Sequence, residues 1–194
     1  MTKKIVFISD FFSDQVQGGA EIYDDVLISC LQERGNKVCK FNSNEFTIKH
    51  LQLYLKTGYY FIVSNFVNLN NRCRAFLEAN SNRYVIIEHD HKYVSNRNPA
   101  VFRDFIAPQN MIINKSFYSS AKKVFCQSKI HAESLSKNLN IENVVSLGCS
   151  LWSKKQLEYI ASCVTKKNDK AFVLNDPNPI KGLSEAVRVC KSKG

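Results

Sequence analysis

The sequence predicts an α/β fold, a Rossmann-like doubly wound parallel sheet that ends in a short strand-helix extension. Three observations carry this prediction. Short β-branched runs alternate with segments of helical apolar spacing, six such runs precede residue 150, and Gly35-Asn36 closes the first helix where a C-cap signal belongs. A strand, helix, strand order calls for parallel pairing, because a crossover helix returns the chain to the same edge of the sheet.

Residues 4–9 form the first β-branched run. After a polar loop and Gly18-Gly19, residues 20–34 place apolar side chains at 22, 23, 26, 27, 30 and 31, the spacing of one helical face. Residues 37–41 read as the second strand, 46–56 as a helix, 59–64 as a strand, 70–79 as a helix and 84–87 as the fourth strand. A long polar stretch follows to about residue 109, and loops of that length in compact domains are usually functional or mobile. A helix near 110–121, a strand at 123–126, a helix at 128–138 and a strand at 143–147 complete the sheet. Residues 151–164 have the spacing of an amphipathic helix, 165–170 form a lysine-rich linker, and a strand at 171–174 and a helix at 183–191 follow. Residues 1–164 are thus assigned to the Rossmann-like domain. Residues 165–194 are assigned to the linker and the beginning, or remnant, of a second α/β domain.

With 44% apolar and 23% charged residues, the 194-residue chain has the balance of a folded globular protein, not of a disordered tail or a fibre. Its longest apolar runs, at 5–8 and 59–63, fall far short of the roughly 20 residues that span a bilayer. The start, Met1-Thr2-Lys3-Lys4, lacks the features of a signal peptide, so a cytoplasmic location is expected. Seven cysteines stand singly at 30, 39, 73, 126, 149, 163 and 190, without zinc-type spacing, and most are expected to be reduced and buried. The net charge of +10 favours an anionic partner such as a sugar phosphate, a membrane surface or nucleic acid. The cations are scattered, which disfavours a dedicated nucleic-acid stripe.

Four segments carry candidate chemistry. The loop 10–19 leaves the first strand and enters the first helix through Gly18-Gly19, where backbone amides and the helix dipole favour an anion. It matches neither the dinucleotide fingerprint nor a Walker A loop, and the plain alternative is a flexible turn. Lys4-Ile5-Val6-Phe7-Ile8-Ser9, the polar loop and Gly18-Gly19-Ala20-Glu21 together resemble the start of family 4 glycosyltransferases of the GT-B fold. The resemblance implies that the diglycine amides face the diphosphate of a nucleotide sugar. Glu21, in the first helical turn, is a further candidate, with complementing the dipole as its plain role.

Glu88-His89-Asp90-His91 closes the fourth strand, at the edge of the sheet where α/β proteins bind ligands. The resemblance makes His89 a donor-sugar contact followed by Asp90, and these two are the catalytic candidates. His91 could share a face with His89 in a metal site, but no third ligand is evident and no metal is expected. Solvated loop or capping residues are the alternative. Residues 121–128, Ala-Lys-Lys-Val-Phe-Cys-Gln-Ser, resemble a family segment in which Ser128 caps the following helix. Ser128 is as well placed for a cap as for a ligand contact, and His131 reads as a surface residue. Finally, Lys181-Gly182 matches the family's Lys-Gly pair at the donor diphosphate, whereas Asn175 stands where an arginine is expected. A polar helix start is the alternative for this pair.

The function implied by the resemblance is transfer of a sugar, with retention, from a nucleotide-diphosphate sugar to the hydroxyl of a glycan, lipid or small-molecule acceptor. The nucleotide sugar is a co-substrate, and no separate cofactor is implied. The family's paired glutamates, spaced eight apart in the second domain, have no counterpart here, so turnover is expected to need a partner chain or domain. The alternatives are a catalytically incomplete sugar- or phosphate-binding module and a DNA-modifying glycosyltransferase.

Overall fold

The computed structural model describes residues 2–163, 173, 175 and 182–192, which divide into units at 1–153 and 154–194. Among them, six parallel strands form one sheet: β1 (Lys4–Ser9), β2 (Lys37–Asn42), β3 (Tyr60–Val63), β4 (Tyr84–Glu88), β5 (Val124–Cys126) and β6 (Val144–Ser146). Their order is β2-β1-β3-β4-β5-β6. The chain therefore steps one way from β1 to β2 and the other way ever after. With right-handed crossovers, that single reversal moves the helices from one face of the sheet to the other.

The cores follow this rule. The helix α1 (Gly19–Glu33) buries Ile28 against Phe7 and Phe12, with Val38 and Ile62 alongside. On the opposite face, Val6, Ile8, Phe61, Val63, Tyr84 and Ile86 pack with side chains from α2 (Ile48–Lys56), α3 (Asn71–Glu78), α4 (Lys115–Ser120) and α5 (Lys129–Leu139), including Leu51, Leu77, Phe117 and Leu135. Alternate residues of β1 thus serve opposite cores, as the two-residue strand period requires. The fold is the expected doubly wound, Rossmann-like α/β sheet.

Several expected helices start later than their apolar spacing implied, and two of them show why. The first turn before α2 is taken by Thr47, whose hydroxyl accepts from His50 N while His50 Nδ1 accepts from Thr47 N. Before α4, residues 112–113 pair with Tyr93 and Val94 instead of winding into a helix: Ile113 N donates to Tyr93 O, and Val94 bridges Ile112. Asn114 then adopts a left-handed φ of 56°, and only beyond it does the helix begin.

In the second unit, α6 (Lys154–Ser162) and α7 (Leu183–Ser192) are present, and Arg188 pairs with Glu185 on α7. The expected strand at 171–174 falls mostly outside the described residues, as does Lys181. No described helix is long and apolar enough to cross a membrane. All seven cysteines are free, but only Cys73 and Cys126 are buried, while Cys149 and Cys163 are exposed. The reading of most cysteines as core residues is corrected accordingly: the single cysteines of the loop after β6 and of the end of α6 lie outside the packed core.

Candidate functional site

Strand register brings the C-terminal ends of β1 and β3 level. Ile8 pairs with Val63, and Ser64 N extends the ladder to Ile8 O. Ser9 and Ser64 consequently stand side by side at the switch point of the sheet, where crevices open in such folds. Beneath them lies Asp24, one turn into α1 and fully buried. Its Oδ2 accepts from Ser9 Oγ at 3.1 Å, and its Oδ1 accepts from Ser64 Oγ at 2.9 Å. The same Oδ1 lies 3.3 Å from His89 Nε2.

His89 is held from both sides. With Nε2 donating to Asp24, Nδ1 is left to accept from Gln127 Nε2, 3.3 Å away. Tyr23 meets the ring edge-on at 5.0 Å, and the imidazole side chain is only 4% exposed. Burial, with Asp24 next to it, pushes the Tyr23 phenol up to about 12, so this wall of the site stays uncharged. The diglycine turn and His89 are therefore joined through one helix. Gly19 opens α1, and the residues that grip His89 follow about one 5.4 Å turn later.

The start of α1 has an unusual chemistry. Gly18 is the N-cap, and no side chain caps the first amides. Gly18 has an ordinary extended φ of −103°, and around a Cβ at Gly19 no atom would lie within 4 Å. Neither glycine is thus demanded by backbone conformation. The Glu21 carboxylate folds back over Gly18, where a Cβ at position 18 would overlap Oε2. It complements the helix dipole. Replacing Glu21 with glutamine is expected to lower stability by about 0.3–1 kcal/mol at low salt, the range for charge near a helix end. Urea unfolding checks this, and an unchanged midpoint would mean that the carboxylate does not act on the dipole.

A second buried carboxylate organises the loop that carries the histidines. Glu88, fully buried at the end of β4, accepts from Asp90 N at 2.9 Å, Lys92 N at 3.2 Å and Lys92 Nζ at 3.4 Å, and also from the Tyr118 hydroxyl. Lys92 Nζ, itself 3% exposed, donates further to Asn65 Oδ1. Burial by itself would raise the Glu88 pKa, but the Lys92 charge and the Tyr118 hydrogen bond prevail and hold it at about 2. Tyr118 is pushed well above its ordinary value by burial and by Glu88. At the other end of the rim, Asp10 accepts from Val67 N, Asn68 N and Ser43 Oγ, tying together the loops after β1, β2 and β3.

The sequence-derived candidates are distributed as follows. His89 joins the Asp24 network, while Asp90 donates its amide to Glu88 and leaves its carboxylate at an exposed position. His91 has a left-handed φ of 53° and turns to Tyr93 and His131 instead of His89. Its Nδ1 lies 2.9 Å from Tyr93 Oη, and the His91 and His131 rings are 4.1 Å apart. Among the described residues no group of three or more His, Cys, Asp or Glu could hold a metal ion. His131 is not the surface residue its polarity implied, for burial, with His91 next, pushes its pKa down to about 4. Ser128 caps α5 by accepting from His131 N. Gly182 has a left-handed φ of 69° and starts α7 with its carbonyl, which accepts from Ala186 N.

Sequence reasoning did not single out Asp24, Asp10, Gln127 or the Glu88–Lys92 pair. A signal for the last was present: a carboxylate closing the apolar run 84–87, with a lysine four residues on. No protein-family model, curated protein or solved structure matches this chain.

Proposed function

We propose that the chain is the Rossmann-like half of a retaining glycosyltransferase, which receives a nucleotide-diphosphate sugar over the Gly18-Gly19 turn and transfers the sugar to an acceptor hydroxyl. The supporting observation is that α1 starts with glycine at a helical position where the fold has open space for a side chain. Glycine there lowers helix stability relative to alanine by up to roughly 0.5–1 kcal/mol, the range for a helix interior, and nothing in the packing repays it. A ligand that approaches the backbone closely gives the position a reason.

In this reading the glycosidic bond to the diphosphate breaks as negative charge grows on the leaving oxygen. The uncapped amides at the start of α1 stabilise that charge in place, without reorganising. His89, with its ring fixed by Asp24 and Gln127, orients the donor sugar, and Asp90 stands beside it at the mouth.

The test uses Gly19→Ala. Thermal melting is expected to rise by a few degrees, in keeping with roughly 0.5–1 kcal/mol of added helix stability. Binding of nucleoside diphosphates, titrated over a panel of bases, is expected to weaken at least ten-fold. A stabilised variant with unchanged affinity, or a parent chain that saturates with none of the panel, overturns the reading. Saturable binding without sugar transfer would assign the chain to the binding-module class instead.

A further inference from the structure

The polar loop between β4 and α4 departs from ordinary backbone geometry in a concentrated way. His91, Arg97, Asp104, Phe105 and Asn114 all have φ between 53° and 60° without being glycine. For a bulky residue this conformation costs of order 1–3 kcal/mol, and it persists only where the surrounding structure imposes it. Asp104 and Phe105 are consecutive, and their outcome is the reverse of burial. The Phe105 ring stands 45% exposed, beside Ile130 at 66% on the first turn of α5. Val101 and Ile106 add to the same exposed apolar loop, at 62% and 51%.

The backbone that presents Phe105 is firmly held. Asn138 Nδ2 donates to Phe105 O at 2.7 Å, and Asn138 Oδ1 accepts from Ala107 N at 2.8 Å. Phe105 is therefore displayed by a braced loop, not left behind by a loose one.

Phe105 and Ile130 form part of the wall of a cavity of about 220 Å³. That is room for a ring-sized polar group, on the order of seven waters' share of liquid volume. Pro99 and Ala100 add to the apolar side, and the rest of the wall is polar. His91 lines it with Nδ1 engaged by Tyr93, which fixes the ring and leaves Nε2 for a ligand. Tyr93 is itself held by Ser134 at 2.9 Å, and Asn98, Ser128, Ser134 and His131, whose buried Nε2 has no hydrogen-bond partner, complete the polar lining. Burial keeps the His91 pKa below the ordinary histidine value, so its imidazole is uncharged at neutral pH, and in either tautomer Nε2 can exchange a hydrogen bond with a hydroxyl. The cavity is thus hydroxyl-seeking on its histidine side and apolar where Phe105 and Ile130 stand. His91 is two residues from His89 on the same Glu88-organised turn.

We infer that this cavity binds an amphiphile, placing a hydroxylated head against His91 and Ser128 and an apolar chain along Phe105 and Ile130. Calling that amphiphile the sugar acceptor rests on the transferase reading; the binding site itself does not. A purely polar ligand would leave Phe105 and Ile130 uncovered, and a purely apolar one would bury His91 Nε2 without a partner.

Dodecyl maltoside below its micellar concentration is the probe, with maltose as the head alone and dodecyl sulfate as a chain with an anionic head. Calorimetric titration is expected to show saturation at one site for dodecyl maltoside, with maltose at least 100-fold weaker. Phe105→Ser combined with Ile130→Ser alters two exposed side chains, so the protein is expected to fold normally, and affinity is expected to drop at least ten-fold. Phe105→Leu restores most of it. His91→Ala is expected to weaken dodecyl maltoside several-fold while leaving dodecyl sulfate unaffected.

Equal binding by the double serine variant overturns the inference, as does equal binding of dodecyl sulfate and dodecyl maltoside, which marks a mere greasy patch. Absence of saturation also overturns it. Nucleoside diphosphate binding in the double variant separates the two claims. If it persists and remains dependent on Gly19 while the amphiphile fails to bind, only the present inference falls; if the amphiphile binds and the diphosphate does not, the transferase reading falls instead.

Discussion

Replacing Glu88 with alanine is expected to destabilise the protein by about 3–5 kcal/mol, the range for removing one partner of a buried ion pair. The loss has an identifiable origin. Lys92, 3% exposed, would lose its carboxylate partner while Asn65 and the face of Phe66 stay beside it. The Tyr118 hydroxyl and the amides of Asp90 and Lys92 would lose their acceptor as well. Urea unfolding at pH 7.5 measures the effect as a lower midpoint with an unchanged slope. Glu88→Gln, which keeps the volume but not the charge, is expected to recover only part of it. A loss of unfolding free energy below about 1 kcal/mol in the alanine variant would show that the carboxylate is not the anchor of this loop.

The same residues set the acid response, and the signs can be worked out. Glu88 has a pKa of about 2 when folded against 4.5 ordinarily, so its contribution is complete above pH 4.5 and disappears as pH falls towards 2. His131 sits at about 4 against 6.5, again lower in the folded state, so its contribution is complete above pH 6.5 and is lost as pH falls through 4. Stability is therefore expected to decline in two stages, between pH 6.5 and 4 and again below 4.5. His131→Ala is expected to shrink the first stage, to which His91, also held below its ordinary value, contributes, and to leave the second in place. A urea midpoint that stays flat from pH 6.5 to 4 in the parent chain contradicts the buried neutral histidine.

Asp24→Ala is expected to cost about 2–4 kcal/mol, because Ser9, Ser64 and His89 each lose a buried acceptor at once. Its effect on function should be larger than its effect on stability. An imidazole no longer held on the Asp24 side can shift by the order of an ångström, and a displacement of that size costs about 100-fold in rate. Measured well below the melting temperature, sugar transfer is expected to fall accordingly in Asp24→Ala and in His89→Ala. The two changes combined should be no worse than either alone, since both remove the same oriented ring. Additive losses would mean that Asp24 acts elsewhere.

Much of this arrangement could be read before any coordinates. The alternation of strand and helix signals located all six strands to within two residues, because hydrophobic period is a local property and the side chains of a buried parallel sheet declare it. The candidate helix start at Gly18-Gly19 and the histidine-bearing turn after β4 were both visible as punctuation at strand ends. Asp24 was not. It lies in a helix whose apolar spacing pointed to residues 22, 23, 26, 27, 30 and 31, and yet the buried set includes Asp24 and Ile28 while Ile22 is exposed. The first turn of α1 covers the polar rim of the sheet, not its core, so the inward face there is chosen by hydroxyls on β1 and by the residue following β3. No local period reports that.

Likewise, the apolar pattern near residue 110 implied a helix, but residues 112 and 113 found strand-like partners at 93 and 94, some twenty positions away. The sequence alone determined the order, kind and approximate ends of the elements, since periodicity, caps and glycine stops act over a few residues. Only the tertiary structure decided that His89 answers to Asp24, that His91 turns away to Tyr93 and His131, and that Phe105 faces solvent. Those outcomes depend on groups 15 to 65 positions apart meeting at one rim, where hydrogen-bond satisfaction in a buried space, and not local propensity, selects the conformation.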